Sequence, residues 1–438
     1  MKFTREAYTW LRIQIDNLSN ISLTSEELEF LKTRCSYLNA AHIQYLHDFR
    51  FRPSEQVNIS FVPINDTGAD SDRGDIRLSV KGLWVETILY EIPLLALTSE
   101  AYFKWCDRDW DFHQQEDKAF RKGCTLLQQG CIFSEFGTRR RRDYHTQDLV
   151  MRGLCRAAEE ARKEGWKGKL TGTSNVHFAM KYGVEPVGTV AHEWYMGIAA
   201  ITNDYENANE LALRYWLGCF GEGVLGVALT DTFGTPDFLD AFKKPIPAST
   251  AATKSPASAL TSSAHNQSNF GSLSEAEPIA PSIEGSSQIP IKTYADVFTG
   301  VRQDSGDPVH FVKMAREFYD KQGIRDKKTI VFSDSLNIEL CLDYKVIAEE
   351  AGFFPVFGVG TFLTNDFLNL SDGKKSVPLN IVIKVSSAGG RPAVKLSDNL
   401  GKNTGDTYTV AEVKKRLGYV ERDWEDGDET RRWGKKGD

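Results

Sequence analysis

Seven short segments of the sequence combine small residues with hydroxyl, carboxylate, guanidinium or imidazole side chains, the groups that bind and transfer phosphate. Each follows a short apolar run, and together they cover residues 135–139, 171–175, 188–192, 230–235, 302–307, 333–337 and 358–361. Loops of this composition present backbone N–H groups and helix N-termini to anions. Helix capping would explain any one of them, because Gly, Ser, Thr and Asp cap helices in every fold. Seven in corresponding positions favour a phosphate-bearing ligand.

His192 is the candidate nucleophile among these residues. It lies where an apolar run passes into a helical pattern. A histidine at such a place is often only a polar cap, and the functional alternative is an imidazole that accepts a phosphoryl group near helix N-terminal amides. A nearby carboxylate would fix its tautomer or hold magnesium. Three aspartates at comparable positions are candidates for this role: Asp231, Asp304 and Asp334.

Two arginines are placed to bind an anionic ligand. Arg139 opens a run of four arginines at 139–142, and such a run is usually a solvated face. It follows Phe136 at the end of an apolar run, however, so its planar guanidinium can bind a carboxylate or phosphate. Arg302 and Asp304 stand two residues apart just before a predicted helix. This pairing suits a sugar phosphate with its metal.

Two familiar motifs are present only in part. Residues 221–226 read Gly-x-Gly-x-x-Gly, but they precede a predicted strand, whereas a dinucleotide site needs the strand first. His192 and Glu193 begin like a zinc-protease helix, yet Met196 stands where the second histidine is required. Neither a dinucleotide site nor a zinc site is expected.

The elements that must position these residues are short strands alternating with helices. Seven apolar runs are expected as strands, at 131–136, 169–172, 186–190, 224–229, 296–301, 329–332 and 355–359. Strands that alternate with helices form parallel sheets, and so many units favour a barrel over a doubly wound sheet. The carboxyl ends of the strands would then surround one mouth.

Composition limits the classes of function. The chain has 438 residues, 41% apolar and 26% charged, which is typical of a globular protein with a substantial core. Its net charge of -7 gives no general attraction to nucleic acid or to acidic membranes, and no apolar run of membrane-spanning length occurs. Seven cysteines without a Cys-x-x-Cys pair predict reduced thiols in the cytoplasm or nucleus. Residues 246–290, rich in Ser, Ala and Pro, predict a disordered insertion, and the charged tail 421–438 is expected to fray beyond Trp424.

The motifs resemble those of the nicotinate phosphoribosyltransferases, in particular the fungal form. Five carry the likeness in order, at residues 134–140, 172–175, 188–193, 300–308 and 358–361, and segments 395–399 and 401–403 fit it too. The resemblance implies an α/β protein with an irregular α/β barrel like that of type II phosphoribosyltransferases. The barrel would span 119–379, with the insertion inside it. A second, α+β domain would be built from both chain ends, 1–118 and 380–438.

The resemblance also implies residue roles. His192 would be the phosphorylated histidine, with ATP as cosubstrate and Mg²⁺ as cofactor. Nicotinate would contact four residues: Phe136, Arg139, Thr189 and Arg302. The phosphoribosyl and phosphate groups would contact Asp304, Asp334, Gly358, Gly360 and Thr361. The expected enzyme makes nicotinate mononucleotide from nicotinate and 5-phosphoribosyl pyrophosphate in NAD salvage, as a cytoplasmic and also nuclear homodimer.

One departure from the family pattern concerns the start of the chain. Family members begin with an acidic, Asp-x-Tyr-Lys-like segment whose tyrosine stacks on the pyridine, whereas residues 1–7 here resemble the region that follows it. The chain is therefore expected to lack this segment and its strand.

Three alternative functions remain at this point. One is a nicotinamide-specific relative with the same barrel and histidine. Another is a noncatalytic binding protein that lost the N-terminal segment. A sugar-phosphate aldolase is disfavoured, because it needs a lysine in the mouth for its Schiff base and the strand-end motifs contain none.

Overall fold

A computed structural model describes residues 1–247, 292–399 and 402–420 of the chain. The insertion expected at 246–290 lies outside these residues apart from its first two, and the tail 421–438 lies outside them entirely. No helix in the described part is long and apolar enough to cross a membrane.

The strands form one large parallel sheet and two small antiparallel ones. The larger sheet has seven strands in the order β6-β5-β4-β10-β9-β8-β7 and is curled into a half-barrel, with all its pairs parallel. The irregular α/β barrel expected from the sequence is therefore confirmed. The strands are β1 (Phe3–Thr4), β2 (Val57–Pro63), β3 (Arg73–Val80), β4 (Ile132–Glu135), β5 (Lys169–Thr173), β6 (Glu185–Pro186), β7 (Val227–Leu229), β8 (Gly300–Gln303), β9 (Thr329–Phe332), β10 (Phe354–Val359), β11 (Ser387–Ala388) and β12 (Arg391–Pro392).

Helices connect the strands of the large sheet, and several begin directly after a strand-end loop. In the described residues they are α1 (Arg5–Asn17), α2 (Ser25–Arg34), α3 (Ala40–Asp48), α4 (Pro53–Gln56), α5 (Trp84–Thr87), α6 (Glu91–Trp105), α7 (Gln115–Gln128), α8 (Tyr144–Glu164), α9 (Val176–Tyr182), α10 (His192–Thr202), α11 (Ala208–Phe220), α12 (Thr235–Phe242), α13 (Tyr294–Val297), α14 (Pro308–Lys321), α15 (Ile338–Glu350), α16 (Thr361–Thr364) and α17 (Thr407–Leu417).

Three expected strands are markedly shorter in the structure. The one expected at 224–229 begins only at Val227, and the other two are shortened for local reasons. The strand expected at 296–301 begins only at Gly300, because the short helix α13 precedes it. Thr293 caps that helix in a capping box: its hydroxyl accepts the Asp296 N–H, and the Asp296 carboxylate accepts the Thr293 N–H at 2.7 Å. The strand expected at 186–190 is limited to β6, which leaves residues 187–191 as the loop that leads to His192.

The main hydrophobic core fills the space between the large sheet and its helices. Phe133, Phe332 and Phe357 are fully buried on neighbouring strands, and the last two rings stack with centroids 5.6 Å apart. Aromatic side chains of this size contribute most of the apolar area that such a core removes from water. The core thus fixes the strand ends that carry the polar loops.

The first residues of the chain form part of a separate antiparallel sheet. Phe3 and Thr4 of β1 pair with β3, whose other neighbour is β2. Phe3 also packs with Phe103 of α6 and with Leu379, which follows the large sheet in sequence. Residues that precede the large sheet in sequence and residues that follow it therefore share this smaller core.

Candidate active site

His192 is the first residue of α10 and lies at the carboxyl-end mouth of the half-barrel, where only 6% of it is exposed. Its Nε2 lies 2.9 Å from Asp304 Oδ2 and 2.9 Å from Lys395 Nζ. Its Nδ1 lies 3.0 Å from Thr232 Oγ1. Lys395 also reaches Asp231 Oδ2, at 3.0 Å. The ring is therefore held on both nitrogens in a buried cluster of charges.

Burial controls the charges in this cluster. Burial, together with the Lys395 ammonium, lowers the pKa of His192 to about 4. Burial by itself opposes ionisation of Asp304, but the Arg302 guanidinium and the His192 ring hold the pKa of Asp304 well below its ordinary value. The imidazole is therefore neutral at physiological pH and keeps a lone pair, while Asp304 is an anion.

Arg302, the third residue of β8, links the cluster to two further loops. Its Nη2 donates to Asp304 Oδ1 at 2.7 Å, its Nη1 to Thr189 Oγ1 at 2.9 Å and its Nε to Ser333 Oγ at 2.8 Å. A guanidinium carries five N–H donors. Two remain for a ligand, in a group whose orientation is already fixed. The structure therefore brings Thr189, His192, Arg302 and Asp304 together.

Phe136 forms a second wall of the mouth with the loop after β10. A Cβ added at Gly358 would lie 2.5 Å from the Phe136 ring, and one at Gly360 would lie 3.1 Å from the Phe136 carbonyl oxygen. Glycines at these two positions allow the segment around Phe136 and the end of β10 to approach this closely. Next to Phe136, the fully buried Glu135 carboxylate accepts hydrogen bonds from Thr173 Oγ1 at 2.6 Å and Gln147 Nε2 at 2.9 Å. Burial raises the pKa of Glu135.

Three other expected site residues lie in the same ring of loops. Arg139 follows Phe136, with its Nη1 3.8 Å from Glu91 Oε1 and 38% of its side chain exposed. Asp334, in the loop after β9, has a positive φ of 82° and lies 3.4 Å from the Lys402 ammonium. Thr361 begins α16 directly after Gly360. A non-glycine residue in the left-handed region is strained, and such strain is concentrated at functional sites.

Two important residues carried no local signal in the sequence. Lys395 and Asp398 lie in a segment quoted only for its family resemblance, yet Lys395 contacts His192 directly. Asp398 accepts from the Thr235 N–H at 2.9 Å and from Thr235 Oγ1 at 2.5 Å, and its own N–H donates to Ser305 Oγ at 3.1 Å. The segment 395–399 thus closes one side of the mouth.

The cluster around His192 does not suit a metal held by protein groups alone. His192, Asp231 and Asp304 each offer a ligand atom, and these atoms lie within 4.8 Å of one another. The Lys395 ammonium already occupies the space beside His192 and Asp231, and Arg302 pairs with Asp304. A divalent cation would be repelled by both positive groups. The arrangement instead suits an oxyanion.

Comparison with family models gives two matches. The model described as the nicotinate phosphoribosyltransferase (NAPRTase) family matches residues 131–250 and 283–421. The model described as the N-terminal domain of the same family matches residues 1–99. The expectation that the chain lacks the family's N-terminal segment is therefore not supported, because the N-terminal domain is present.

Individual relatives agree with the family models. A nicotinate phosphoribosyltransferase of Saccharomyces cerevisiae is 42% identical over 436 residues, covering 99% of this chain and 90% of the relative. A probable nicotinate phosphoribosyltransferase of Schizosaccharomyces pombe is 41% identical, over 95% of this chain and 88% of the relative. A crystal structure described as a putative nicotinate phosphoribosyltransferase from Saccharomyces cerevisiae superposes with a TM-score of 0.81 at 42% identity, over 96% of this chain and 89% of the other. A Porphyromonas gingivalis structure of the same description gives a TM-score of 0.73 at 31% identity, over 95% and 90%.

Proposed function

The chain belongs to the nicotinate phosphoribosyltransferase family, and we propose that it joins nicotinate to the phosphoribosyl group of 5-phosphoribosyl pyrophosphate. The products are nicotinate mononucleotide and pyrophosphate, in the salvage of NAD from nicotinate. ATP is the cosubstrate, and its hydrolysis to ADP and phosphate is coupled to the transfer. The observation that carries the proposal is the buried, neutral His192 beside Asp304, Lys395 and Arg302 at the mouth of the half-barrel.

His192 is proposed to accept the γ-phosphoryl group of ATP. A ring nitrogen with a free lone pair attacks phosphorus, ADP leaves, and water later releases phosphate. Nε2 is engaged from two sides by Asp304 and Lys395, whereas the recorded contact of Nδ1 is with the neutral Thr232 hydroxyl. We therefore assign the acceptor role to Nδ1, because its partner is a neutral hydroxyl and not a charged group. The phosphoryl group adds about two negative charges to the mouth.

Nicotinate is proposed to bind between Phe136 and Arg302. The Phe136 ring offers an aromatic face for the pyridine, and the two unused N–H groups of Arg302 suit its carboxylate. Thr189 fixes the Arg302 guanidinium through its hydroxyl at 2.9 Å. Arg139 supplies a further positive charge on the Phe136 side of the mouth. The resulting pocket would hold the pyridine nitrogen toward the sugar.

The phosphoribosyl group is proposed to bind at the loops after β9 and β10. Gly360 and Thr361 would bring backbone close to the phosphate, next to Gly358 and the Phe136 ring that packs on it. Asp304 and Asp334 would face the ribose. The substrate is proposed to be the Mg²⁺ complex of 5-phosphoribosyl pyrophosphate, in which the ion would offset the negative charge of the diphosphate. The sugar carbon becomes positively charged as its bond to the diphosphate breaks. Orientation and charge stabilisation by the fixed groups of the mouth then account for catalysis.

Two alternatives share this fold: a nicotinamide-specific relative and a noncatalytic binding protein. Neither has support in the comparisons. The curated relatives reported above carry nicotinate, not nicotinamide, in their names, and His192 with its charged partners is present in the mouth. Steady-state assays with each base separate these possibilities. Product formation from nicotinamide at the rate seen with nicotinate would contradict the proposed specificity.

Assembly and location also remain proposals. We propose a homodimer in the cytoplasm with a nuclear pool. All seven cysteines are unpaired, which suits a reducing compartment. Sedimentation would measure the oligomeric state, and a fluorescent fusion would show the location.

The phosphoryl-acceptor role is tested with ATP labelled at the γ position. The protein should take up label that is lost in acid and kept in base, as expected for a phosphorylated imidazole, and His192→Asn should abolish it. His113→Asn, at an exposed histidine, is the matched control and should keep the label. Undiminished labelling of His192→Asn would contradict the assignment.

A further inference from the structure

Glu135, the last residue of β4, is a fully buried carboxylate to which the proposed reaction gives no role. Its Oε1 accepts the Gly137 N–H at 2.5 Å, and its Oε2 accepts Thr173 Oγ1 at 2.6 Å and Gln147 Nε2 at 2.9 Å. A buried carboxylate is tolerated only with such donors. The donors come from the loop after β4, from the end of β5 and from α8, so one side chain joins three parts of the chain.

The amide of Gln147 is held in a single orientation. Its Oε1 accepts Arg141 Nη1 at 3.1 Å, and a guanidinium can only donate. Its Nε2 therefore faces Glu135, and it also donates to Thr138 Oγ1 at 2.8 Å. Gln147 is itself fully buried. It thus bridges an anion and a cation through an amide that cannot be turned over without placing donor against donor.

The hydrogen bonds of Glu135 and Gln147 hold the turn that carries the Phe136 ring. Phe136 lies between Glu135 and Gly137, which one of these bonds joins directly. The next residue, Thr138, is held by Gln147. Both sides of Phe136 in the chain are therefore fixed by the same two buried side chains.

We propose that Glu135 and Gln147 are positioning residues that set the Phe136 ring for nicotinate. The inference rests on the proposed function, in which this ring faces the pyridine. Both side chains are fully buried, so they act on the substrate only through the turn. Stacking of aromatic rings depends on their offset and separation. A displaced turn should therefore weaken the binding of nicotinate and leave that of 5-phosphoribosyl pyrophosphate nearly unchanged.

An exchange of the two side chains tests the proposal in the full-length enzyme. Glu135→Gln places amide N–H groups against each other, and Gln147→Glu places two carboxylates against each other. Each should raise the KM for nicotinate about fivefold or more, as expected where a buried polar group loses its partner. The KM for 5-phosphoribosyl pyrophosphate should change less than twofold. In the double variant Glu135→Gln/Gln147→Glu a donor again faces an acceptor, and the KM for nicotinate should return to within about twofold of the wild type.

The pH dependence separates this role from a general loss of stability. The two carboxylates of Gln147→Glu share a proton at low pH and lose it as the pH rises, because two like charges in contact repel each other. The other charge beside Glu135 is that of Arg141, which in turn lies near Glu100 and Asp143. The KM for nicotinate of Gln147→Glu, relative to the wild type, should therefore be higher at pH 8.5 than at pH 6.0. The same ratio for Glu135→Gln should stay constant.

Thr138 provides a second test that leaves the buried charges in place. Thr138→Val removes the hydroxyl that accepts from Gln147 and should raise the KM for nicotinate, whereas Thr138→Ser keeps the hydroxyl and should not. Gln128→Glu, at an exposed position of α7, is the control for the exchange and should leave every KM unchanged. If the Glu135 and Gln147 variants do not fold, the Thr138 pair decides, and equal KM values for its two members would overturn the inference.

Two further results would overturn the inference. One is an unchanged KM for nicotinate in both single variants. The other is a double variant that is no better than the worse single variant. Equilibrium dialysis with labelled nicotinate separates this inference from the proposed activity. If the wild type forms no nicotinate mononucleotide but the Kd values for nicotinate follow the expected pattern, the proposed activity fails while the positioning role stands.

Discussion

The protonation state of His192 decides whether its ring can accept a phosphoryl group, since only the neutral ring has a lone pair. Burial and Lys395 lower its pKa to about 4, so we expect NMR of isotope-labelled histidine to show a neutral His192 ring from pH 8 down to about 5.5. The signals are assigned by their loss in His192→Asn. Lys395→Met should raise the pKa, because a neighbouring positive charge is removed, whereas Lys395→Arg should not. A wild-type transition centred near pH 6.5 would show that the ring is hydrated and unpaired.

Arg302 is expected to affect affinity and rate together. In the proposed pocket its guanidinium contacts the nicotinate carboxylate, while its fixed orientation depends on Asp304, Thr189 and Ser333. Arg302→Ala should lower kcat/KM for nicotinate tenfold or more, since a charge-assisted hydrogen bond contributes about 1.5–3 kcal/mol. Arg325→Ala, at an exposed position, is the control. Unchanged kinetics of Arg302→Ala would place this side chain outside the substrate pocket.

Site residues that directly follow an apolar run could be predicted from the sequence, whereas their long-range partners could not. His192, Arg302 and Asp304 each follow an apolar run, so the rule that strand ends meet at one mouth was enough to group them. Lys395 lies 203 positions from His192 in sequence, and the contact between them exists only in the folded chain. Long-range partners of His192 such as Lys395 therefore carry no signal in the local sequence.

At the scale of the elements, the close approach of β10 to the loop after β4 forms one wall of the pocket. A Cβ at Gly358 would lie 2.5 Å from ring atoms of Phe136. Gly358→Ala should therefore displace the ring and raise the KM for nicotinate several-fold, with a loss of stability of about 1–3 kcal/mol from overpacking. Gly218→Ala in α11, where a Cβ meets nothing within 4 Å, is the matched control. Steady-state kinetics give the KM values, and urea unfolding curves give the loss of stability. Equal KM values for the two variants would show that Phe136 does not line the pocket.

Strands with a continuous apolar run were predicted best. The strand expected at 329–332 matches β9 in both bounds, because its apolar residues end directly at the polar Ser333. The run at 296–301 was misassigned, since apolar periodicity does not register the capping box of Thr293 and Asp296. Side-chain to backbone hydrogen bonds compete with strand pairing. Such competition limits what the apolar pattern alone can predict.

At the scale of the whole molecule, composition and strand count predicted a curled parallel sheet but not how distant parts of the chain meet. Leu379 packs with Phe3 and Phe103, and Lys395 reaches His192 from the same part of the chain. A smaller unit built from both chain ends was expected only from the family resemblance. Local patterns carry no information on such contacts, because the residues involved are hundreds of positions apart.

Asp398 ties the segment near the C-terminus to the large sheet, and its carboxylate makes whole-molecule stability depend on pH. It holds Thr235 of α12 through two hydrogen bonds and Ser305 through its N–H. Burial, together with repulsion from Asp231, raises the pKa of Asp398 to about 6 from an ordinary 3.8. The stability that this group contributes is therefore fully present below about pH 3.8 and is lost as the pH rises through 6.

Asp398→Asn removes this dependence while its amide can still accept from the Thr235 N–H. In urea unfolding, the free energy of unfolding of Asp398→Asn relative to the wild type should increase by about 1 kcal/mol between pH 5.0 and pH 7.5. Asp372→Asn, at an exposed carboxylate, controls for charge removal. Asp398→Ala loses the contacts with Thr235 and should be destabilised at both pH values, since a buried donor is left without its acceptor. The free energy of unfolding of Asp398→Asn relative to the wild type could instead be the same at both pH values. In that case Asp398 does not titrate in this range, and its carboxylate accepts from Thr235 of α12 in the ionised form throughout.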